Sequence, residues 1–110
     1  MAFKLVKRDK IPVPVKGTIR GEDGKPVPFD FNLHCIRLTQ EQITAALKDK
    51  DEPVTAFVQR IATGWDGVQD ERGEQLAFTD ENLAEVLANP GMASVCSQAY
   101  LNNVGAIAKN

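Results

Sequence analysis

Residues 11–33, IPVPVKGTIRGEDGKPVPFDFNL, decide the fold of this chain. Apolar and polar residues alternate with a period of two on both sides of a glycine-containing turn, which predicts two half-buried strands. The apolar residues of the two strands can share one face only if the connection has an odd number of residues. A three-residue turn over residues 22–24 meets this condition, with Gly24 in the left-handed conformation of a bulged hairpin turn.

This turn fixes the pairing of the predicted antiparallel hairpin. On the inner face it pairs Ile19 with Val27, Gly17 with Phe29, Val15 with Phe31, and Val13 with Leu33. On the outer face Lys16 lies opposite Asp30, so opposite charges face each other across the ladder. Pro12 and Pro14 lack a backbone N–H and therefore indicate an edge strand or the beginning of a strand. Residues 3–7 alternate in the same way and are the candidate for a third strand.

Two helices are predicted after the hairpin. Thr39 is placed as the cap of the first helix, with Gln42 in the position that completes a capping box. Pro53 is placed as the first residue of the second helix, whose apolar residues continue at helical spacing up to a stop at Gly64.

The following segment predicts a small second hairpin or an ordered loop at 67–77. Residues 71–73, Glu-Arg-Gly, repeat the turn chemistry of residues 22–24 and would pair Val68 with Leu76. Thr79 then caps a third helix, and Pro90 opens a fourth. Because strands and helices are segregated along the chain, we expect a single α+β domain over residues 1–110: a sheet of two or three strands followed by about four helices.

Composition excludes several classes of protein. The chain has 110 residues, 43% hydrophobic and 25% charged, which is typical of one globular domain. Its apolar runs are far shorter than the roughly 18 residues that a membrane span needs, and its start lacks the apolar region of a secretion signal. We therefore expect a cytoplasmic protein that binds no membrane. The net charge of −2 also argues against a nucleic-acid partner.

Residues suited to catalysis or metal binding are few. His34 is the single histidine, and with Cys35 and Cys96 it cannot supply the four closely spaced ligands of a zinc site. In a cytoplasmic chain the two thiols are expected to pack as small hydrophobic groups. His34 lies on the outer strand face and Cys35 on the opposite face, so they cannot form a nucleophile pair. We expect no catalytic residue, cofactor, metal or small-molecule substrate.

A longer motif suggests a family. Residues 64–87 read GWDGVQDERGEQLAFTDENLAEVL, and they stand between the hairpin and a terminal helix that ends in Lys109-Asn110. The residues that carry the pattern are Trp65, Gly67, Val68, Gly73, Phe78, Thr79, Asn82, Leu83 and Leu87. Over nearly its whole length the chain resembles the tail assembly chaperones of long-tailed bacteriophages and prophages.

The resemblance implies a small non-enzymatic protein of the host cytoplasm. Such a chaperone holds the tape-measure protein until tail-tube subunits, a second candidate partner, polymerise around it, and it is absent from the mature virion. One alternative is a permanent virion subunit, such as a tail-completion or head-to-tail connector protein. A weaker alternative is a small DNA-binding regulator.

Candidate partner contacts come from the tryptophan and from the helical stripes. Trp65 is either a core anchor or a partner contact, since tryptophan is enriched in both roles. The apolar face of the last helix is wide for one docking surface, so part of it is predicted to face another chain. The candidate contacts are Trp65, Leu83, Leu87, Tyr100, Val104 and Ile107.

Overall fold

The computed structural model describes residues 9–49 and 52–105. Its elements are β1 (Lys10–Arg20), β2 (Pro26–Ile36), α1 (Gln40–Lys48), α2 (Val54–Ile61), β3 (Ala62–Asp66), α3 (Asp80–Leu87) and α4 (Met92–Val104). The strands form one antiparallel sheet in the order β1-β2-β3. The fold is therefore α+β with an N-terminal hairpin, as predicted. The candidate strand at 3–7 lies outside the described residues.

The register of the hairpin is the one predicted from the parity of its turn. Ile19 pairs with Val27, and the pairing continues without a break to Lys10 and Ile36. The Gly21 N–H donates to the Lys25 carbonyl at 2.9 Å and closes the three-residue turn. Gly24 has a φ of 79°, the left-handed conformation that this turn requires.

The second predicted helix is shorter than expected. It ends at Ile61 instead of Gly64, and the chain passes directly into β3, which pairs with β2 through Leu33 and Trp65. Ile61 and Trp65 are both buried and four residues apart, a spacing that fits a helix equally well. Residues 62–66 form a strand because the edge of β2 that faces away from β1 provides them with backbone hydrogen bonds. The spacing of apolar residues along the chain does not reveal this partner.

Two helix starts also differ from the prediction. Pro53 is the N-cap of α2 and precedes its first residue. Pro90 precedes α4 by two residues, because the Met92 N–H donates to the Asn89 carbonyl at 3.0 Å and closes a turn. Gly91, with a φ of 84°, occupies the third position of that turn. Proline followed by a left-handed glycine is the signature of a type II turn, so these residues connect α3 to α4 instead of opening the helix.

The small second hairpin is present. The Leu76 N–H donates to the Val68 carbonyl at 2.8 Å, and Gln69 forms a bridge with Gln75. Gly73 has a φ of 79°, as at the first turn. The predicted pairing of Val68 with Leu76 is therefore confirmed.

All four helices follow the hairpin in sequence, and one core joins three of them, α2, α3 and α4, to the inner face of the sheet. The core combines the inner residues of the strands, such as Val13, Val15 and Leu33, with the apolar faces of α2, α3 and α4. Outer-face residues of β1 and β2 are mostly exposed, so none of the described helices covers that side of the sheet. No helix within 9–49 and 52–105 has the length and apolar character needed to cross a bilayer.

Candidate partner-binding surface

Four of the six predicted partner contacts are core residues. The exposed fraction is 6% for Trp65, 3% for Leu83, 6% for Leu87 and 0% for Tyr100. α4 contacts β1 as well as α2 and α3, so its wide apolar stripe is needed to pack against neighbours on more than one side. The width of the stripe therefore does not by itself indicate a partner surface. Val104 is half-buried against the core, and Ile107 lies outside the described residues.

Trp65 acts as a core anchor. Its indole Nε1–H donates to the Leu76 carbonyl at 2.8 Å, and its ring meets Phe78 edge-on with 5.0 Å between the ring centres. These contacts hold the small hairpin at 67–77 against the sheet. Of the two roles considered for this tryptophan, the structure supports the anchor.

Other residues of the 64–87 motif also hold the fold together. The Thr79 hydroxyl accepts a hydrogen bond from the Asn82 N–H at 3.0 Å and caps α3. The Asn82 side-chain amide donates to the Ala77 carbonyl at 2.8 Å, which ties the helix to the preceding loop. The motif therefore organises the connection from β3 to α3.

His34 and Cys35, adjacent in sequence, lie on opposite faces of the sheet. His34 lies on the outer face, as predicted, with its Nε2 atom 2.8 Å from the Asp66 carboxylate across β2 and β3. Both side chains are exposed. Cys35, on the other face, is fully buried. Within the described ranges, no group of three histidine, cysteine or acidic side chains could hold a metal ion.

Burial also makes the two thiols poor nucleophiles. It raises the pKa of Cys35 to about 12, with a smaller contribution from the neighbouring Cys96. Burial likewise raises the pKa of Cys96 to about 11. Because the thiolate is the reactive form, both side chains stay protonated and inert at neutral pH. They pack as small hydrophobic groups, as the sequence predicted.

An exposed apolar surface occurs at the distal end of the hairpin. Ile19 and Val27 face each other across the ladder and are 37% and 45% exposed. The next inner-face aromatic residue, Phe29, is half-buried and stacks on Phe31. We call Ile19, Val27 and Phe29 the hairpin tip. It continues the inner face of the sheet beyond the part that the helices cover.

The lengths of the elements account for this exposure. An 11-residue strand spans about 36 Å, whereas the 13 residues of α4 span about 20 Å. α4, which contacts β1, is therefore too short to cover the whole length of that strand. The length of the hairpin is a signal in the sequence for this exposed surface, whereas the helical stripes do not indicate it.

A second surface feature lies where the edge of β1 meets α4. This β1–α4 groove has a volume of about 490 Å³. Its lining combines apolar and polar side chains: Pro14, Lys16, Val95, Gln98, Ala99, Asn102 and Asn103. β1 therefore has apolar surface beside it at two places: the hairpin tip near the turn, and the groove where it meets α4.

Comparison with known proteins finds no match for this chain. No protein-family model matches it, and neither the curated proteins nor the solved structures include a significantly similar one. The resemblance of residues 64–87 to tail assembly chaperones therefore stays a prediction from the sequence pattern.

Proposed function

We propose that this chain is a tail assembly chaperone of a long-tailed bacteriophage or prophage. In this proposal it binds the tape-measure protein in the host cytoplasm, is displaced as tail-tube subunits polymerise, and is absent from the mature virion. It performs no catalysis. The sequence pattern of residues 64–87 supports the family, and the hairpin tip supports a role in protein binding.

The hairpin tip is the observation that carries the proposal. Isolated exposed apolar residues are ordinary, but Ile19, Val27 and Phe29 lie together on one face of one hairpin. They extend the apolar face of the sheet into solvent, where a partner can bury them. Weak contacts of this kind, repeated along a long partner, suit a chaperone that is later displaced.

Co-expression tests the binding role directly. The tape-measure protein of the same phage or prophage would be produced with the wild-type chain, with Val27→Asp, or with Leu47→Asp as the control. Leu47 is 64% exposed on α1, away from the hairpin, so its replacement changes an exposed apolar residue without touching the tip.

We expect Val27→Asp to lose most of the solubilisation of the tape-measure protein, and Leu47→Asp to retain it. Circular dichroism and urea unfolding would check that both variants are folded. Equal solubilisation by Val27→Asp and the wild type would refute the role of the tip in the proposed function.

Mass spectrometry of purified virions separates the chaperone from a structural subunit. A chaperone is present in infected cells and missing from finished particles. Stoichiometric amounts in the virion would refute the chaperone proposal and favour a tail-completion or connector protein.

A further inference from the structure

The outer edge of β1 has no strand beside it in the part of the chain that the structure describes. The odd-numbered positions of β1 are the ones that bond to β2. This is seen at both ends of the ladder, where the Gly21 N–H donates to Lys25 and the Asp9 carbonyl accepts from Arg37. The register between them is unbroken. The even-numbered positions therefore direct their backbone groups towards the open edge.

Prolines divide this edge into a closed and an open half. Pro12 and Pro14 occupy even positions, so they offer no N–H to an added strand. Lys16, Thr18 and Arg20 occupy the next even positions and keep theirs. An added strand can therefore make its full ladder of hydrogen bonds only along Lys16–Arg20.

The opposite edge of the hairpin is closed in the same way. Pro26 and Pro28 stand opposite Arg20 and Thr18, at positions of β2 that face away from β1. β3 does not extend along this part of β2, so an unprotected edge would otherwise be left there. Prolines thus occupy outward-facing positions on both edges of the hairpin, and they leave the stretch Lys16–Arg20 of β1 open.

The surroundings of the open half-edge fit one kind of strand. Its outer-face side chains would lie beside Lys16 and Arg20, both exposed cations. Its inner-face side chains would lie beside Ile19 of the hairpin tip and, near Lys16, enter the β1–α4 groove beside Val95. The complementary sequence therefore alternates acidic and apolar residues.

We propose that the edge Lys16–Arg20 binds an extended, alternating acidic and apolar segment of a partner protein by strand addition. This rests on the proposed function, because it names the part of the partner that the chaperone holds. A second copy of this chain fits less well. Symmetric pairing about Thr18 would set Lys16 of each copy against Arg20 of the other, and like charges directly opposite are destabilising.

A synthetic peptide tests the proposal. The probe is the capped heptapeptide Val-Glu-Val-Thr-Val-Glu-Val, and the control peptide has lysine in place of both glutamates. Binding to the full chain would be followed by NMR, together with the exchange of individual amide protons. With saturating probe we expect exchange at Lys16, Thr18 and Arg20 to slow by about tenfold or more, with much weaker binding of the lysine peptide.

Variants of β1 separate backbone pairing from charge. Thr18→Pro removes the central N–H of the edge without breaking a bond to β2, and Thr18→Val is its matched control. We expect Thr18→Pro to abolish peptide binding and Thr18→Val to keep it. The double variant Lys16→Glu, Arg20→Glu keeps every N–H and should prefer the lysine peptide, which tests the proposal even if Thr18→Pro fails to fold.

Several results would overturn strand addition. One is binding of the probe peptide to Thr18→Pro with the same affinity as to the wild type, and another is slowed amide exchange only outside Lys16–Arg20. A third is binding of the probe only to a variant that lacks residues 1–8. A fourth is a concentration-dependent dimer of the chain in which the amides of Lys16, Thr18 and Arg20 are protected.

The proposed function fails in a different way. If the peptide protects the edge but the tape-measure protein does not bind the chain, the function is refuted and the edge stands. If the tape-measure protein binds and leaves these amides unprotected, strand addition is refuted.

Discussion

The Tyr100 hydroxyl joins the last helix to the end of β2. It donates to the Ile36 carbonyl at 2.9 Å and accepts from the Leu38 N–H at 3.0 Å, although more than 60 positions separate these residues in sequence. Tyr100 is fully buried, and its ring meets Phe57 edge-on. A residue whose position on the helical stripe suggested a partner contact is therefore part of the link between sheet and helices.

Removing this hydroxyl should destabilise the fold. Tyr100→Phe leaves the Leu38 N–H and the Ile36 carbonyl without their partner, and we expect a loss of about 1–3 kcal/mol in the free energy of unfolding. Urea denaturation measures the loss, and faster amide exchange at Leu38 locates it. Tyr100→Asp should unfold the domain, because it also places a carboxylate in the core. Unchanged stability of Tyr100→Phe would contradict the assigned role of the hydroxyl.

The first hairpin turn provides a test of backbone conformation alone. A Cβ atom on Gly24 would meet nothing within 4 Å, so a substitution there is limited by its φ of 79° and not by space. We expect Gly24→Val to lower the free energy of unfolding by about 1–2 kcal/mol. Gly24→Asn should lower it less, because asparagine tolerates the left-handed conformation. Equal losses in the two variants, measured by urea denaturation, would argue against this account.

Gly17 is constrained differently, by a close approach. A Cβ atom there would lie 2.9 Å from Cζ of the Phe29 ring. Phe29 is only half-buried, so its ring can move outward. We expect Gly17→Ala to cost less stability than Gly24→Val and to shift the NMR signals of the Phe29 ring. A larger loss in Gly17→Ala would mean that the ring is held in place.

The Thr79 cap should contribute measurably to stability. Thr79→Ala removes the acceptor for the Asn82 N–H, which typically lowers the free energy of unfolding by about 1 kcal/mol. Thr79→Ser keeps the hydroxyl and is the matched control. Thermal unfolding followed by circular dichroism measures both. If the serine variant loses as much as the alanine variant, the methyl group matters more than the cap.

The buried thiols predict a loss of stability at alkaline pH. An exposed cysteine ionises at a pKa of 9.0, whereas burial raises the pKa of Cys35 to about 12 and that of Cys96 to about 11. From about pH 9 up to these values the unfolded chain releases protons that the folded chain keeps. Folding is therefore disfavoured progressively over this range, and the contribution is fully present below pH 9.

The double variant Cys35→Ala, Cys96→Ala isolates this effect from other alkaline titrations, including that of Tyr100. We expect it to be less stable than wild type at neutral pH because of the lost packing. Its stability should nevertheless fall less steeply between pH 9 and pH 11. Urea denaturation across this range gives both slopes, and equal slopes would show that the thiols do not titrate differently on unfolding.

The sequence predicts well those parts of the fold that depend on residues close to one another in the chain. The hairpin register follows from the parity of a three-residue turn, and the cap at Thr79 follows from residues next to one another. β3 could not be found in this way, because the edge of β2 supplies its hydrogen bonds. Four of the six predicted partner contacts, Trp65, Leu83, Leu87 and Tyr100, are core residues for a related reason. A stripe such as that of α4 shows which side is apolar, but it does not show how many neighbours cover it.

The direct passage from α2 into β3 limits how this chain can change in length. Ala62 is both the cap of the helix and the first residue of the strand, so no loop separates them. Successive strand residues point to opposite faces, and one residue inserted here would turn Trp65 towards solvent and separate it from the Leu76 carbonyl. Insertions should instead accumulate in the exposed turns at 22–24 and 71–73, where extra residues change the size of a loop and leave the phase of the sheet intact.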